Sequence, residues 1–161
     1  MRTIFVGSSE FGIPALKRLK EYAPPILVIA QPDRAAGRHL KNQACPLAKC
    51  ASELGLEVFK PQDINSEESL ARMEVLRPDL FITASYGGML KRKLRKIATH
   101  EAINLHPSLL PLYRGPTPIQ SALLNGDSIT GLTIFRLTGR MDAGPVLFQR
   151  ELPINDEDNF T

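Results

Sequence analysis

Asn104 and His106 are the two residues of this sequence whose types and spacing best suit catalysis. They stand two positions apart in a run that predicts a β-strand, so their side chains should point to the same side. An amide donor beside an imidazole suits a reaction that builds an oxyanion and moves a proton. A strand-end histidine whose hydrogen bonds are satisfied locally is the alternative, and the pair alone does not decide.

The segments that follow are polar or turn-forming, and each is unspecific by itself. Ser108–Pro111 (SLLP) and the triplet Tyr113-Arg114-Gly115 predict a loop. Asp142 lies in a predicted turn, where aspartate is common because its carboxylate bonds the local main chain. Taken alone, Asp142 favours a structural role.

Short apolar runs alternate with amphipathic stretches along the chain, and this alternation predicts parallel strands joined by helices. The fold class indicated is α/β, a doubly wound and mostly parallel sheet of the Rossmann-like kind. The predicted strands are Thr3–Val6, Pro25–Ala30, Val58–Phe59, Asp79–Ala84, Ala102–Leu105, Ile129–Leu137 and Val146–Leu152.

Two predicted helices have recognisable start signals. Asn65 with Glu68 three residues later resembles a capping box. Thr117 is placed to cap another helix, with Pro118 in its first turn. By contrast, Gln31–Cys45 is rich in Arg, Gly and Asn and predicts a long polar loop.

Polar and glycine residues follow the predicted strands at their carboxyl ends, where open parallel sheets gather their ligands. A phosphate loop is not indicated, because GSSEFG at 7–12 fits neither GxGxxG nor a Walker pattern. The groups at this edge are Gly7-Ser8-Ser9, Gln31-Pro32-Asp33, Ser85-Tyr86-Gly87 and Asn104-Leu105-His106.

Length and composition limit the classes of function. A chain of 161 residues can build one sizeable core, and no apolar run approaches the ~20 residues of a membrane span. The opening MRTIFVG predicts a strand rather than a signal peptide, so we expect a cytoplasmic protein without membrane contact. The net charge of +3 permits a nucleic-acid partner without requiring one. The sequence does not determine the oligomeric state, and we favour a monomer.

The order Asn104-x-His106, SLLP, Arg-Gly and Asp142 resembles that of the formyltransferases that use 10-formyltetrahydrofolate. In that family the Asn, His and Asp form the catalytic set, so the resemblance assigns catalysis to these three residues. The SLLP segment of the family lines the folate site. The resemblance therefore assigns folate contacts to Ser108, Leu109, Leu110 and Pro111.

A mechanism follows from the resemblance. An amine attacks the formyl carbon of the folate, and Asn104 with protonated His106 stabilises the resulting oxyanion. Asp142 orients and charges the imidazole and helps to take up the proton that the amine loses. This chemistry needs no metal, and Cys45 and Cys50 match neither a zinc pattern nor a disulfide framework.

The flat pterin of a folate needs donors and acceptors from the main chain at close range. The loop at Tyr86, Gly87 and Gly88, which lacks side chains at two positions, could supply them. A simple turn after a strand is the alternative for this glycine pair.

A finer resemblance, from Thr3 to Thr161, is to the family members that formylate methionyl-tRNA. Its signatures are FVGSSEFGIPAL at 5–16, AQPDRAAGR at 30–38, YRGPTPIQ at 113–120 and NGD at 125–127. The resemblance implies initiator methionyl-tRNA as the acceptor, in translation initiation. Arg34, Arg38 and Lys41 are then candidate contacts for tRNA phosphates.

Two departures from this pattern stand out. Pro107 follows the histidine, and HPSLLP is commoner in glycinamide ribonucleotide formyltransferases. The tRNA-acting members also continue past Thr161 into further helices and a β-rich domain. The resemblance thus implies that residues 1–161 are a catalytic domain truncated at its C-terminal end, either a fragment or a shortened paralogue.

Three other functions remain open. A sugar-nucleotide N-formyltransferase would share the folate and the catalytic set, although QPDRAAGR and PTPIQSALLNGD argue against it. A shortened paralogue could bind folate or RNA without turnover. A nucleotide-binding Rossmann protein is disfavoured, because the glycine fingerprint is absent.

Overall fold

The computed structural model of the protein describes residues 1–36 and 41–159. The chain divides into two compact units, Met1–Ala102 and Ile103–Thr161. In chain order the first unit contains β1 (Thr3–Gly7), a 3₁₀ helix (Glu10–Gly12), α1 (Ile13–Tyr22), β2 (Leu27–Ile29), β3 (Arg34–Ala36), β4 (Lys41–Gln43), α2 (Pro46–Glu53), β5 (Val58–Phe59), α3 (Glu67–Leu76), β6 (Leu80–Ala84) and α4 (Arg92–Arg95). Strand β7 (Glu101–His106) leads into the second unit, which continues with α5 (Pro118–Leu124), β8 (Ile129–Arg136) and β9 (Val146–Pro153).

The main sheet of the first unit has the order β5-β2-β1-β6, and its described pairings are all parallel. Strand β1 is central, with Ile4 opposite both Leu27 of β2 and Phe81 of β6. All five residues of β1 are buried, as expected for a parallel strand covered on both faces. Helices alternate with these strands along the chain, so the predicted α/β class is confirmed.

The residues that begin α3 differ from the predicted capping box. Ser66 is the N-cap, and its hydroxyl accepts a hydrogen bond from the amide of Ser69 at 3.2 Å. The side chain of Asn65 instead donates to the carbonyl of Met89 at 3.0 Å and accepts from the amide of Lys91 at 2.8 Å. Because Asn65 is held by the segment after β6, the cap moves one residue along the chain.

The long loop predicted over Gln31–Cys45 is also wrong in part. Arg34–Ala36 and Lys41–Gln43 form a two-stranded antiparallel pair, with Arg34 opposite Gln43 and Ala35 opposite Asn42. The alternation of polarity that predicts a strand is weak in such short, exposed segments, since neither face of the pair has to be apolar. Residues 37–40 lie outside the described part of the chain.

The second unit is built on an antiparallel meander of β7, β8 and β9. Gly131, Thr133 and Phe135 alternate as the buried residues of β8, as expected for a strand with one covered face. All eight residues of β9 are exposed. The predicted helix start at Pro118 is confirmed, although the side chain of Thr117 makes no capping hydrogen bond.

None of the helices within residues 1–36 and 41–159 is long and apolar enough to cross a membrane.

Tyr86, which follows β6, is only 6% exposed. Burial raises the pKa of its phenol to about 12, and the charges of Asp63 and Cys45 add to this rise. The ordinary pKa of tyrosine is about 10. The phenol of Tyr86 thus stays neutral in the folded chain at pH values where the unfolded chain ionises.

We predict that this difference makes the free energy of unfolding fall between about pH 10 and 12, because the unfolded state loses its proton first. In Tyr86→Phe this part of the fall should disappear, and so should the phenolate absorbance that forms near pH 12. Urea midpoints measured at successive pH values test the first point, and ultraviolet titration tests the second. Tyr22→Phe, which removes an exposed phenol, should leave both unchanged.

Gly131 lies in β8 where no side chain has room. A Cβ atom added there would collide with the side chain of Leu109 and the main-chain oxygen of Arg150. At Gly139, in contrast, an added Cβ would meet nothing within 4 Å.

We therefore expect Gly131→Ala to lower the free energy of unfolding by about 1–3 kcal/mol, the usual cost of overpacking. Gly139→Ala should change it by much less. Urea denaturation of the two variants measures the difference. Equal unfolding midpoints would contradict the close packing of Leu109 on β8.

Candidate active site

His106 ends β7 and is held in a buried position by contacts on both ring nitrogens. Its exposed fraction is 5%. Its Nε2 atom lies 2.9 Å from the main-chain oxygen of Tyr113, and its Nδ1 atom lies 3.9 Å from Oδ2 of Asp142. The imidazole ring packs against the ring of Phe135 in a T-shaped arrangement, with the two ring centroids 6.4 Å apart and the two ring planes at 81°. The imidazole is thus fixed in orientation rather than free to rotate.

The position of Asp142 is fixed by the turn that contains Tyr113 and Gly115. Its Oδ2 atom accepts a hydrogen bond from the amide of Gly115 at 2.8 Å. Gly115 has φ +101°, which only glycine adopts readily. Asp142 itself has φ +45°, a left-handed conformation that aspartate tolerates better than most residues. One turn therefore holds both members of the His106–Asp142 pair.

Asn104 is two residues before His106 on the same strand, so the two side chains leave β7 on the same side. In the register with β8, Asn104 lies opposite Phe135 and His106 lies opposite Thr133. Asn104 is half-buried. All three residues of the predicted catalytic set thus lie in the second unit, and the side chains of His106 and Asp142 approach to 3.9 Å.

The predicted folate segment, Ser108–Pro111, is pinned to β8 by a residue that sequence reasoning missed. The hydroxyl of Thr133, which is fully buried, donates to the carbonyl of Ser108 at 2.6 Å and accepts from the amide of Leu110 at 3.1 Å. Gln149 of β9 adds a second tie, donating to the carbonyl of Leu110 at 2.8 Å. The peptide bond before Pro111 is cis. No sequence signal marks Thr133, because its role depends on strand register.

The hydroxyl of Ser108 is committed within its own loop. It is fully buried and donates to the carbonyl of Leu112 at 2.6 Å. The serine hydroxyl and the main-chain groups of Ser108 and Leu110 thus have partners within the protein.

The loop at Tyr86, Gly87 and Gly88 belongs to the first unit and is held by the ends of β1 and β2. The hydroxyl of Ser8 and the side-chain amide of Gln31 both donate to the carbonyl of Tyr86, at 3.3 and 3.2 Å. Gly87 has φ +78°, and a Cβ added there would meet nothing within 4 Å. The main chain of the loop thus has open space beside it at Gly87, whereas at Gly88 the ring of Tyr86 lies close to it.

The predicted tRNA contacts are described only in part. Arg34, at the start of β3, is exposed, and its guanidinium lies 3.4 Å from the side-chain oxygen of Gln31. Arg38 lies outside the described residues, as does the side chain of Lys41.

A groove of about 510 Å³ in the first unit contains none of these residues. It lies between α3 and the segment of α4 and is lined by Glu67, Leu70, Ala71, Glu74, Lys93, Lys96 and Ile97. Over the described residues, no three His, Cys, Asp or Glu side chains are grouped so as to hold a metal ion. Both cysteines are free thiols.

The arrangement of His106, Asp142 and Asn104 can hold and move one proton beside a donor amide. A carboxylate 3.9 Å from Nδ1 stabilises positive charge on the imidazole. The amide of Asn104 is neutral and can donate to an oxygen that gains negative charge. These abilities suit an acyl-type transfer through an oxyanion.

Curated relatives are similar in sequence to this chain over nearly its whole length. A methionyl-tRNA formyltransferase of Roseiflexus sp. (strain RS-1) is 42% identical over 156 residues, which are 96% of this chain and 48% of that protein. The protein of the same name from Limosilactobacillus fermentum is 44% identical over 158 residues, 97% of this chain and 50% of that protein. The chain spans about half the length of the curated relatives it matches.

Solved structures share the fold. A phosphoribosylglycinamide formyltransferase from Bacillus halodurans superposes with a TM-score of 0.78 at 20% identity, covering 99% of this chain and 83% of that chain. One from Brucella melitensis is 31% identical, with a TM-score of 0.71 and coverage of 99% and 84%. The formyl transferase family matches residues 1–161 in full. The chain is a member of the formyl transferase family.

Proposed function

We propose that residues 1–161 are the catalytic domain of an enzyme that transfers the formyl group of 10-formyltetrahydrofolate to the amino group of methionyl-tRNA. The observation that carries the proposal is the buried pair of His106 and Asp142, 3.9 Å apart, in a chain whose curated relatives bear that enzyme's name. The acceptor is the initiator tRNA, the process is translation initiation, and the compartment is the cytoplasm. The catalytic unit acts as a monomer.

The catalytic steps fall to the three residues of the second unit. Asn104 donates a hydrogen bond to the formyl oxygen as it gains negative charge, and protonated His106 stabilises that charge through its own positive charge, which lowers the barrier to attack. Asp142 stabilises the positive charge on His106 and accepts the proton that the amine releases. The bond between the formyl carbon and the folate nitrogen then breaks, and this proton passes to that nitrogen as tetrahydrofolate leaves. The fixed orientation of the imidazole lowers the cost of reorganisation during the step.

The folate supplies an activated formyl carbon, and the chain offers main chain to hold it. The carbonyls and amides of Gly87 and Gly88 suit the edge of the pterin. Leu109 and Leu110 supply apolar surface in a segment that Thr133 keeps rigid.

The choice of acceptor depends on residues other than the catalytic set, because those three residues serve any amine. Arg34, Arg38 and Lys41 are the proposed contacts for tRNA phosphates, each giving a modest, salt-dependent gain in affinity. Pro107 gives the histidine segment the sequence HPSLLP, which favours testing a glycinamide ribonucleotide as a second acceptor.

The acceptor is tested by supplying three amines side by side with 10-formyltetrahydrofolate: charged initiator tRNA, glycinamide ribonucleotide and an amino-sugar nucleotide. We expect formyl transfer to the tRNA alone. Product formation is followed by mass spectrometry of the acceptor. Transfer to one of the small amines and not to tRNA would overturn the proposed acceptor while preserving the chemistry.

The catalytic set is tested by substitution. Asn104→Ala should lower turnover by about 10²–10³-fold, the usual effect of losing one oxyanion donor. His106→Ala and Asp142→Asn should each remove most turnover, on the scale of 10²–10⁴-fold for a proton-transfer group. His100→Ala and Asp156→Asn, which change exposed residues of the same types, are the matched controls. Turnover like that of the unchanged chain in Asp142→Asn would remove Asp142 from the mechanism.

The folate is tested by thermal unfolding, which needs no acceptor. A ligand that binds only the folded chain, at about 100 times its Kd, adds ~2.7 kcal/mol to the free energy of unfolding and so raises Tm by several degrees. We expect this rise with reduced folates and none with NAD or ATP. A rise with NAD and none with folate would instead favour a nucleotide-binding protein.

A further inference from the structure

Tyr113 has contacts that the catalytic set does not explain. Its backbone is left-handed, with φ +53°, although it is neither glycine nor asparagine. Bulky residues adopt this conformation only where surrounding contacts enforce it. Two such contacts are made by its own phenol, at the opposite end of the residue from the main chain.

The phenol of Tyr113 is clamped from two sides. Its hydroxyl donates to Oδ2 of Asp127 at 2.6 Å and accepts from the side-chain amide of Asn125 at 2.8 Å. Both partners come from the turn after α5, where Gly126 has φ +68°. The hydrogen bond to Asp127 raises the pKa of the phenol above its usual range.

The carbonyl of Tyr113 contacts His106 directly, with its oxygen 2.9 Å from Nε2. A carbonyl oxygen can only accept a hydrogen bond, so Nε2 carries the hydrogen in this contact. The other nitrogen, Nδ1, is then the one that faces Asp142, at 3.9 Å from its Oδ2 atom. The direction of one peptide carbonyl therefore decides which ring nitrogen is available.

We propose that Tyr113 is a positioning residue, whose phenol is anchored by Asp127 and Asn125 so that its carbonyl holds Nε2 of His106 and leaves Nδ1 facing Asp142. Without the anchor, Tyr113 relaxes to negative φ, which rotates the following peptide and turns its carbonyl away from His106. Residues 125–127 thus act on the imidazole through one tyrosine, without contacting it themselves.

The first test measures the Nε2 hydrogen of His106 by nuclear magnetic resonance and needs no enzymatic activity, so it is independent of the proposed function. The signal is identified by its loss in His106→Gln. We expect slow exchange of this hydrogen with solvent in the unchanged chain and in Tyr22→Phe, which removes an exposed phenol. In Tyr113→Phe and Asp127→Ala, exchange should be at least about tenfold faster, since the hydrogen bond to the carbonyl is lost.

Asp127→Asn keeps an acceptor of the same size and should retain slow exchange, which distinguishes loss of the anchor from general loosening. If Tyr113→Phe does not fold, as judged by circular dichroism, the comparison of Asp127→Ala with Asp127→Asn decides alone. Slow exchange in every folded variant would overturn the proposal, and so would equally fast exchange in Asp127→Ala and Asp127→Asn.

The second test rests on the proposed function and measures formyl transfer. Misplacing a catalytic group by about 1 Å can cost ~10²-fold in rate, so kcat in Tyr113→Phe and Asp127→Ala should fall by about 10–100-fold. KM for the folate should change by less than about twofold, because neither side chain belongs to the proposed donor site. The double variant should be no slower than the slower single variant, since both changes break one chain of contacts. Additive losses, or a change confined to KM, would contradict the proposal.

Discussion

The positions of the His106 and Asp142 side chains in the second unit depend on one short turn, from Tyr113 to Gly115, which contacts both of them through main-chain atoms. The carbonyl at one end of the turn meets His106, and the amide at the other end meets Asp142. The two side chains come from separate parts of the chain, since His106 ends a strand and Asp142 lies in a turn 36 residues later. Main-chain groups are suited to this task, since they cannot change protonation state.

The sequence predicts helices and strands well where burial requires a pattern of apolar residues. It predicts their ends poorly where a contact with a distant part of the chain determines the boundary. Strand β1 is buried throughout and contains the apolar run Ile4, Phe5 and Val6 because both of its faces are covered, so its position is evident from composition. The cap of α3 is one residue from its predicted place because Asn65 is drawn to the main chain at Met89 and Lys91. Nothing local could have indicated that competition.

The same distinction applies to the candidate site. Asn104, His106 and Asp142 are proposed from residue type, spacing and family resemblance, and the structure places His106 3.9 Å from Asp142. Thr133 and Gln149 hydrogen-bond to the main chain of Leu110, and the sequence does not predict this role. The alternating pattern of a strand does not show which loop its threonine will contact. Supporting residues of this kind depend on register, and register requires the folded chain.

Strand β9 has a consequence for how the protein behaves at high concentration. Its first three residues, Val146, Leu147 and Phe148, are apolar and about half exposed, and β9 is the last strand of its meander among the described residues. An unpaired apolar edge is a template on which strands from other molecules can add. Arg150 and Glu151 place charges further along the same strand, and Pro153 removes a donor at its end. Along this edge, strand addition is favoured at the apolar residues Val146, Leu147 and Phe148 and opposed by the charges and the proline that follow.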